Sequence, residues 1–310
     1  MMNRRGALRK LILAGGAAAF SRVLPSEKSK EPDFVIHSEV RLVLLDVSVR
    51  DHNRQFVTGL AKDSFRVYED GRPQETTVFA HADLPVTVGI LVDSSYSMTP
   101  KRADVLAAAQ TFIEESNPQD EVFVLNFNDR VRRGLAPGAL FSDNLQQLRA
   151  ALNRGIPQGK TALYDAVILG LGQLTMGKRD KKTLVLISDG GDNASHTTRQ
   201  EMLSLAEKSL ATIYTIGLFD VADPDRDPGI LKRLARITGG EVYLPESSAQ
   251  MEPVCRRIAK EIRARYTLGY LPRPGPGNGW RHIRVAASAT DGRKLSVRTR
   301  GEYWYETVAE

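Results

Sequence analysis

Apolar residues along the chain follow two periods. Val43, Leu45, Val47 and Val49 alternate with Leu44, Asp46, Ser48 and Arg50, the two-residue repeat of a strand with one buried face. Phe65 and Val67 lead into Glu69-Asp70-Gly71 as a strand entering a hairpin, and Thr76, Val78 and Phe79 read as its return. Residues 34–82 therefore predict a small antiparallel β segment. The pattern changes after Leu84-Pro85. Val86 to Val92 is almost continuously apolar, as a strand buried on both faces must be. Similar runs follow at Glu121–Phe127, Thr183–Ile187 and Thr212–Gly217, with a shorter one at Glu241–Leu244. Helical spacing fills the gaps. Thr99-Pro100 suits an N-cap and first helical position ahead of Val105, Ala109 and Phe112. Further helices are predicted over Asn144–Leu152, Leu163–Leu174, Gln200–Ala211, Ile230–Ile237 and from Ser247 or Ser248 to about Arg265.

Strands alternating with helices predict an α/β fold, a doubly wound, mostly parallel, Rossmann-like sheet over residues 85–265. After Arg265 the strand pattern returns, at Tyr266–Leu271, Trp280–Ala287 and Lys294–Arg300. Three strands in residues 266–306 are marginal alone, and so are those of 34–82. The two segments are expected to pair into one antiparallel β domain, built from both ends of the chain, with the α/β domain inserted between them.

The net charge of +6 changes this picture only at the N-terminus. Arg4, Arg5, Arg9, Lys10, Arg22, Lys28 and Lys30 stand against Glu27, and the remaining 280 residues sum to zero. A global footprint for nucleic acid is absent. Instead, paired arginines, a short apolar run from Leu11 to Ala19 and the small residues Ala17-Ala18-Ala19 form the pattern of a secretory signal, with the arginine pair suggesting the twin-arginine route. Residues 1–30 are expected to be this signal and a linker. The protein is then exported, to the periplasm or the cell surface and exterior. The apolar run is too short for a membrane span, so no stable span is expected once the signal is removed. The single cysteine, Cys255, reads as buried and inert, and the five histidines form no zinc pattern.

The chemistry lies at predicted strand ends. Asp93-Ser94-Ser95-Tyr96-Ser97 follows the first buried strand, and Ser188-Asp189-Gly190 follows another. Gly159-Lys160-Thr161 precedes a helix. In open parallel sheets, ligands bind beyond the carboxyl ends of the strands, where all three stretches are placed to converge. Two carboxylates and three hydroxyls make an all-oxygen set, which selects Mg²⁺, Mn²⁺ or Ca²⁺ over zinc or copper. With so few carboxylates, such a cation stays electrophilic towards an acidic group from outside. Tyr96 and Met98 either rim this face or pack beneath it. Asp192 and Asn193 read as turn residues.

Asp93-x-Ser95-x-Ser97, then Thr161, then Asp189-Gly190 resembles the metal-ion-dependent adhesion site of von Willebrand factor A domains and integrin inserted domains. The resemblance covers about residues 85–265. The flanks, with Phe65 to Gly71 and Tyr266 to Tyr270, look like bacterial von Willebrand factor A-related proteins. It implies a divalent cation, Mg²⁺ or else Mn²⁺ or Ca²⁺, contacted by Ser95, Ser97 and Thr161, with Asp93 and Asp189 acting through water. A protein partner presenting an acidic residue would complete the coordination. Binding would accompany small shifts of the last helix, about Ser248–Arg265.

The expected function is thus non-enzymatic, metal-dependent protein binding. A structural role in which the cation only staples the fold is the alternative. A metal-dependent hydrolase is disfavoured: position 95 is not the second Asp of a phosphotransferase motif, and no Gly-x-Ser-x-Gly or phosphate-binding loop follows Val92. Arg281, Arg284, Arg293, Lys294, Arg298 and Arg300 cluster in the C-terminal strands, with Arg298 and Arg300 on one strand face, and read as a solvated sheet surface or else a basic docking patch for an acidic partner. Trp280, Tyr303, Trp304 and Tyr305 read as packing residues.

Overall fold

A computed structural model describes residues 42–81, 83–219, 224–275 and 277–307. The expected export signal over residues 1–30, and the start of the segment from residue 34, lie outside the described residues. What is described belongs to one compact unit, Val40–Glu310.

The chain opens with β1 (Val43–Arg50), β2 (Phe65–Glu69), β3 (Arg72–Gln74) and β4 (Val78–Ala80). The middle alternates: β5 (Val86–Asp93), α1 (Arg102–Glu114), β6 (Glu121–Phe127), β7 (Val131–Arg133), α2 (Leu145–Asn153), α3 (Leu163–Thr175), β8 (Lys181–Ser188), α4 (Arg199–Lys208), β9 (Thr212–Gly217), α5 (Pro228–Thr238), β10 (Val242–Tyr243) and α6 (Met251–Ala264). It closes with β11 (Tyr266–Tyr270), β12 (Gly279–Ala287), β13 (Ser296–Arg298) and β14 (Glu302–Tyr305).

The central sheet has six strands in the order β10-β9-β8-β5-β6-β7. All neighbours are parallel except the short edge strand β7. Every residue of β5 is buried, which explains its unbroken apolar run: helices cover both faces. The chain leaves β5 for β6 on one side and then crosses to β8 on the other. The loops after β5 and β8 therefore emerge side by side at the carboxyl edge, the position where this architecture opens a crevice.

The flanking strands form two four-stranded sheets, β13-β1-β11-β4 and β14-β12-β2-β3. Each combines strands from before and after the α/β layer: β1 pairs with β11, and β2 with β12, both antiparallel. One apolar cluster joins them. Leu45, Val47, Tyr266 and Leu268 of the first sheet share it with Phe65, Val67, Ile283 and Tyr303 of the second. Glu69 lies buried at its end, accepting from Tyr270 Oη (2.7 Å), Tyr303 Oη (2.8 Å) and Arg281 Nη1 (2.7 Å).

Several elements depart from the sequence reading. Thr99-Pro100 does not start the first helix. Tyr96–Lys101 is a 3-10 turn, and α1 begins at Arg102. Ser95 is extended at the head of this turn, so the chain starts coiling directly out of the site loop. The strand expected over Lys294–Arg300 is only Ser296–Arg298, and the chain then forms β14, which the sequence reading left unassigned, as it did β7. Of the basic cluster, Arg284, Arg293 and Lys294 are exposed, but Arg298 and Arg300 are not part of a solvated face. Arg300 is buried, and its Nη2 donates to the Ser209 carbonyl.

Arg298 belongs to the joint between the sheets. Glu261 of α6 is fully buried and is held by Arg50 of β1 (2.8 Å), by Arg298 of β13, and by Arg265 (3.2 Å). Glu241 accepts from Arg50 (2.9 Å) and pairs with Arg298 (2.8 Å). Arg265 is the single residue between α6 and β11, and it also donates to the Gly239 carbonyl at 2.8 Å. Burial alone would push the Glu261 carboxyl up. The positive field of Arg265, then Arg298 and Arg50, outweighs this and holds it below its ordinary value. Glu241 is likewise held low, by Arg50 and then Arg298 against the burial that raises it.

Glu261→Gln removes the charge and leaves three guanidinium groups without it. Unfolding in urea should show a loss of about 3 kcal/mol or more, the scale for breaking a buried ion pair. The folded carboxyls lie below the unfolded value of about 4.3. Their contribution is complete above that pH and fades as pH falls beneath it. The wild-type protein should lose stability below about pH 4.3 more steeply than Glu261→Gln. Equal acid slopes for the two would contradict the assignment.

Candidate metal-binding site

The site is built at the carboxyl edge, from the ends of β5 and β8 and the approach to α3. Asp93 is the last residue of β5 and is buried. Its Oδ1 accepts from the Ser95 amide (2.8 Å), which folds the loop back over the strand end. Its Oδ2 accepts from Ser188 Oγ (2.6 Å), the last residue of β8. One carboxylate thus ties the two central strands together.

The hydroxyls then line up outward. Ser95 Oγ lies 3.1 Å from Ser97 Oγ, and Ser97 Oγ donates to Asp189 Oδ2 at 2.6 Å. Ser95, Ser97, Thr161 and Asp189 all line one cleft of about 280 Å³, together with Lys160, Gly191, Asn193 and Asp225. Asp93 sits beneath it, joined through Ser95. The five residues singled out in the sequence therefore occupy one place.

Thr161 is held there by backbone. Its carbonyl accepts from the amides of Asn193 (3.0 Å) and Ala194 (3.1 Å), while its own amide donates to Asn193 Oδ1 (2.9 Å). It does not cap α3. Ala162 is the cap residue, and the first amides of α3 are taken by Asp192 Oδ2 (to Tyr164 N, 2.9 Å) and Ser195 Oγ (to Asp165 N, 3.1 Å). Asp192 and Asn193 are therefore more than turn residues: they clasp the loop after β8 onto the start of α3. Asn193 Nδ2 also donates to Asp225 (2.7 Å). Ser188 and Asp225 were missed in the sequence. Ser188 was legible as the neighbour of Asp189 at a strand end. Asp225 lies in the loop before α5 and carries no local signal.

Two glycines hold the loops at left-handed backbone. Gly159 (φ +73°) accepts from the Tyr96 amide through its carbonyl, and Gly190 (φ +83°) turns the chain after Asp189. Tyr96 is 75% exposed beside the cleft and Met98 is buried beneath it, so Tyr96 rims the face and Met98 packs under it. Ser94 is turned away, its Oγ accepting from Arg102 (3.1 Å).

The electrostatics favour a cation. Burial is the main force raising the Asp93 carboxyl, and the like charge of Asp189 adds to it; donors from Ser188 and Ser95 oppose both, leaving it pushed up to about 7. A cation between the carboxylates would relieve that repulsion. The spacing also fits. Neighbouring oxygens around an octahedral Mg²⁺, at about 2.0–2.1 Å from the ion, lie about 2.9 Å apart, close to the 3.1 and 2.6 Å separations in the serine–serine–aspartate row. Asp93, with both oxygens engaged, suits contact through water. When bound, such a cation would supply a Lewis-acidic position open to an outside carboxylate.

Residues 88–191 match the family model of the von Willebrand factor type A domain. The chain carries a von Willebrand factor type A domain. The matched stretch runs from β5 to the loop after β8 and so contains every candidate ligand. Among solved structures, the A-domain protein from Catenulispora acidiphila is similar over 87% of this chain and 75% of its own, with 15% identity and a TM-score of 0.51. Proximal thread matrix protein 1 from the mussel byssus is similar over 63% of this chain and 51% of its own, with 14% identity and a TM-score of 0.51. This chain thus spans about half of the mussel protein. At such identities these likenesses concern the fold. No curated protein matches the chain.

A Cβ on Gly159 would fall 1.8 Å from Asp129 Oδ2, at a backbone angle that alanine rarely adopts. Gly159→Ala should lower stability by more than about 1 kcal/mol in thermal unfolding. Gly172→Ala, on the exposed side of α3 with nothing within 4 Å, should be neutral or mildly stabilising. The same loss in both variants would deny the Gly159 loop its special geometry.

Proposed function

We propose that this chain is a metal-dependent protein-binding module, whose cation is held by Asp93, Ser95, Ser97, Thr161 and Asp189 and completes its coordination with an acidic group of a protein partner. The observation that carries this reading is the meeting of Ser97 Oγ and Asp189 Oδ2 at 2.6 Å across 92 residues of sequence. It brings the two loops into one oxygen row facing an open cleft. Mg²⁺ is the preferred ion for that donor set, with Mn²⁺ or Ca²⁺ as substitutes. Ser95, Ser97 and Thr161 take direct contact, and Asp93 and Asp189 act through water.

Recognition is favoured over a purely structural staple. The loops are already tied by protein hydrogen bonds: Asp93 to Ser188, Tyr96 to Gly159, Thr161 to Asn193. A cation added to this frame has more to offer an outside carboxylate than the frame itself. We take binding rather than turnover as the role, because the cleft presents a row of hydroxyl and carboxylate oxygens suited to holding a cation, with Lys160 beside it. The domain boundaries expected from sequence complete the reading: an A domain over 85–265, carried by a β-sandwich made of 34–82 and 266–306. The signal pattern of residues 1–30 supports a module that works outside the cytoplasm, in the periplasm or at the cell surface.

Titration calorimetry with Mg²⁺ tests the site. The wild-type chain should bind one ion, and Asp93→Ala combined with Ser95→Ala should bind none while keeping its circular dichroism spectrum. An unchanged isotherm in the double variant would overturn the ligand set. For the function, capture of an envelope protein should be lost on adding EDTA with the fold intact. Loss of the fold on chelation would favour the staple instead.

A further inference from the structure

At the opposite, amino-terminal edge of the central sheet lies a second cleft, of about 250 Å³, where β8 and β9 begin beneath the sandwich. Its wall is mixed, with an apolar part and a polar part. Leu44 and Val78 come from the sandwich, Leu84 and Leu210 from connecting loops. At the mouth, Leu42, Leu84 and Leu210 are 37%, 40% and 64% exposed, so three large side chains that water disfavours gather at one opening.

The polar groups in this cleft are unusually bare. Lys181 is only 8% exposed and Arg300 only 5%. The Lys181 ammonium reaches the Asp46 carboxylate only at 3.9 Å, the limit of ion pairing. Arg300 gives Nη2 to the Ser209 carbonyl, but its Nη1 is buried with no hydrogen-bond partner among the described residues. The hydroxyls of Thr267 and Thr299, both lining the cleft, are also buried without partners. Buried polar groups are nearly always hydrogen-bonded, and buried cations nearly always paired. Here Asp46 and Asp180 are the carboxylates of the lining, Asp46 reaching Lys181 only at 3.9 Å, and among the described residues three donors have no partner. Burial depresses both cations: Arg300 falls to about 10, and Lys181 falls despite the pull of Asp46. An anion in the cleft would reverse each of these penalties.

We propose that this cleft binds a small amphiphilic anion, its carboxylate or phosphate head accepting from Lys181, Arg300 Nη1 and the two threonine hydroxyls, and its short aliphatic tail lying on Leu44, Val78, Leu84 and Leu210. The volume is that of about eight waters, which suits a head group with a chain of several carbons and excludes a full diacyl lipid. The site does not depend on the metal-binding reading, since it lies at the other end of the parallel strands. It would join the sandwich to the A domain, because its walls come from both.

The test uses the full chain with EDTA present, so that the metal site plays no part. Octanoate and octyl phosphate are titrated by calorimetry, with octanol and inorganic phosphate as half-ligands. At least one amphiphile should bind saturably at one per chain and raise the melting temperature. The half-ligands should bind at least ten-fold more weakly. The stronger amphiphile identifies the head as carboxylate or phosphate. Lys181→Met should weaken binding at least ten-fold with its circular dichroism unchanged. Should that variant misfold, Leu210→Glu at the exposed mouth places a repelling charge without touching the core, and the same weakening is expected. No saturable binding by either amphiphile, or equal binding by wild type and the folded variant, would overturn the proposal.

Discussion

A carboxylate sealed from water, Glu261, is gripped by arginines from three places: β1, β13 and the junction of α6 with β11. The two layers of this molecule meet there. The sandwich is assembled from strands that precede and follow the α/β layer, so its docking has to be specified by something at the contact. Apolar packing alone is poorly directional. A buried anion surrounded by forked guanidinium groups is not, because each pair has one productive geometry. Such clusters contribute less net stability than their number suggests, since desolvation offsets much of the attraction. Their effect on orientation is harder to replace. Glu241 repeats the device one step outward, sharing Arg50 and Arg298 and accepting from Tyr243 at 2.8 Å.

Much of the α/β layer was legible because burial on both faces leaves an unmistakable mark. A run such as Val86 to Val92 has no polar face to show, so it reads as a central strand. The candidate site was legible for a related reason. Asp93 stands one position and Asp189 two positions after such a run, and the sheet topology decides that both emerge at the same edge. What stayed hidden was set by distant partners. Arg298 ends β13 and Arg300 lies beyond it, and a two-residue period says only which side chains of a strand travel together. It does not say that Glu261, 37 residues earlier, waits on that side. The short strands β7 and β14 are brief enough that their pairing comes from the neighbouring strand rather than from any repeat of their own. Asp225 joined the cleft only through the fold, since its loop has neither spacing nor composition to mark it.

The candidate site and the second cleft illustrate opposite uses of the same sheet. At the carboxyl edge, two buried carboxylates crowd together and hydroxyls fill the spaces around them, a frame that is rich in acceptors. At the amino edge, two buried cations have few acceptors, the Ser209 carbonyl for Arg300 and a distant Asp46 for Lys181. Parallel strands tend to gather ligands at their carboxyl ends, and the second cleft exists because the sandwich roofs the other end. Without the strands from both chain ends, the start of β8 at Lys181 would lose that roof.

The connection between α6 and β11 is one residue long, and that residue, Arg265, is itself fastened to Glu261 and to the Gly239 carbonyl. A final helix on a long tether could glide along the sheet and leave its surroundings at rest. Here there is no slack to absorb a glide. Any axial travel of α6 has to be transmitted into a strand that is bonded on both sides, to β1 and to β4. Motion begun at one end of the A domain would therefore be felt as shear within the sandwich, and a load pulling on the sandwich would be returned along the helix.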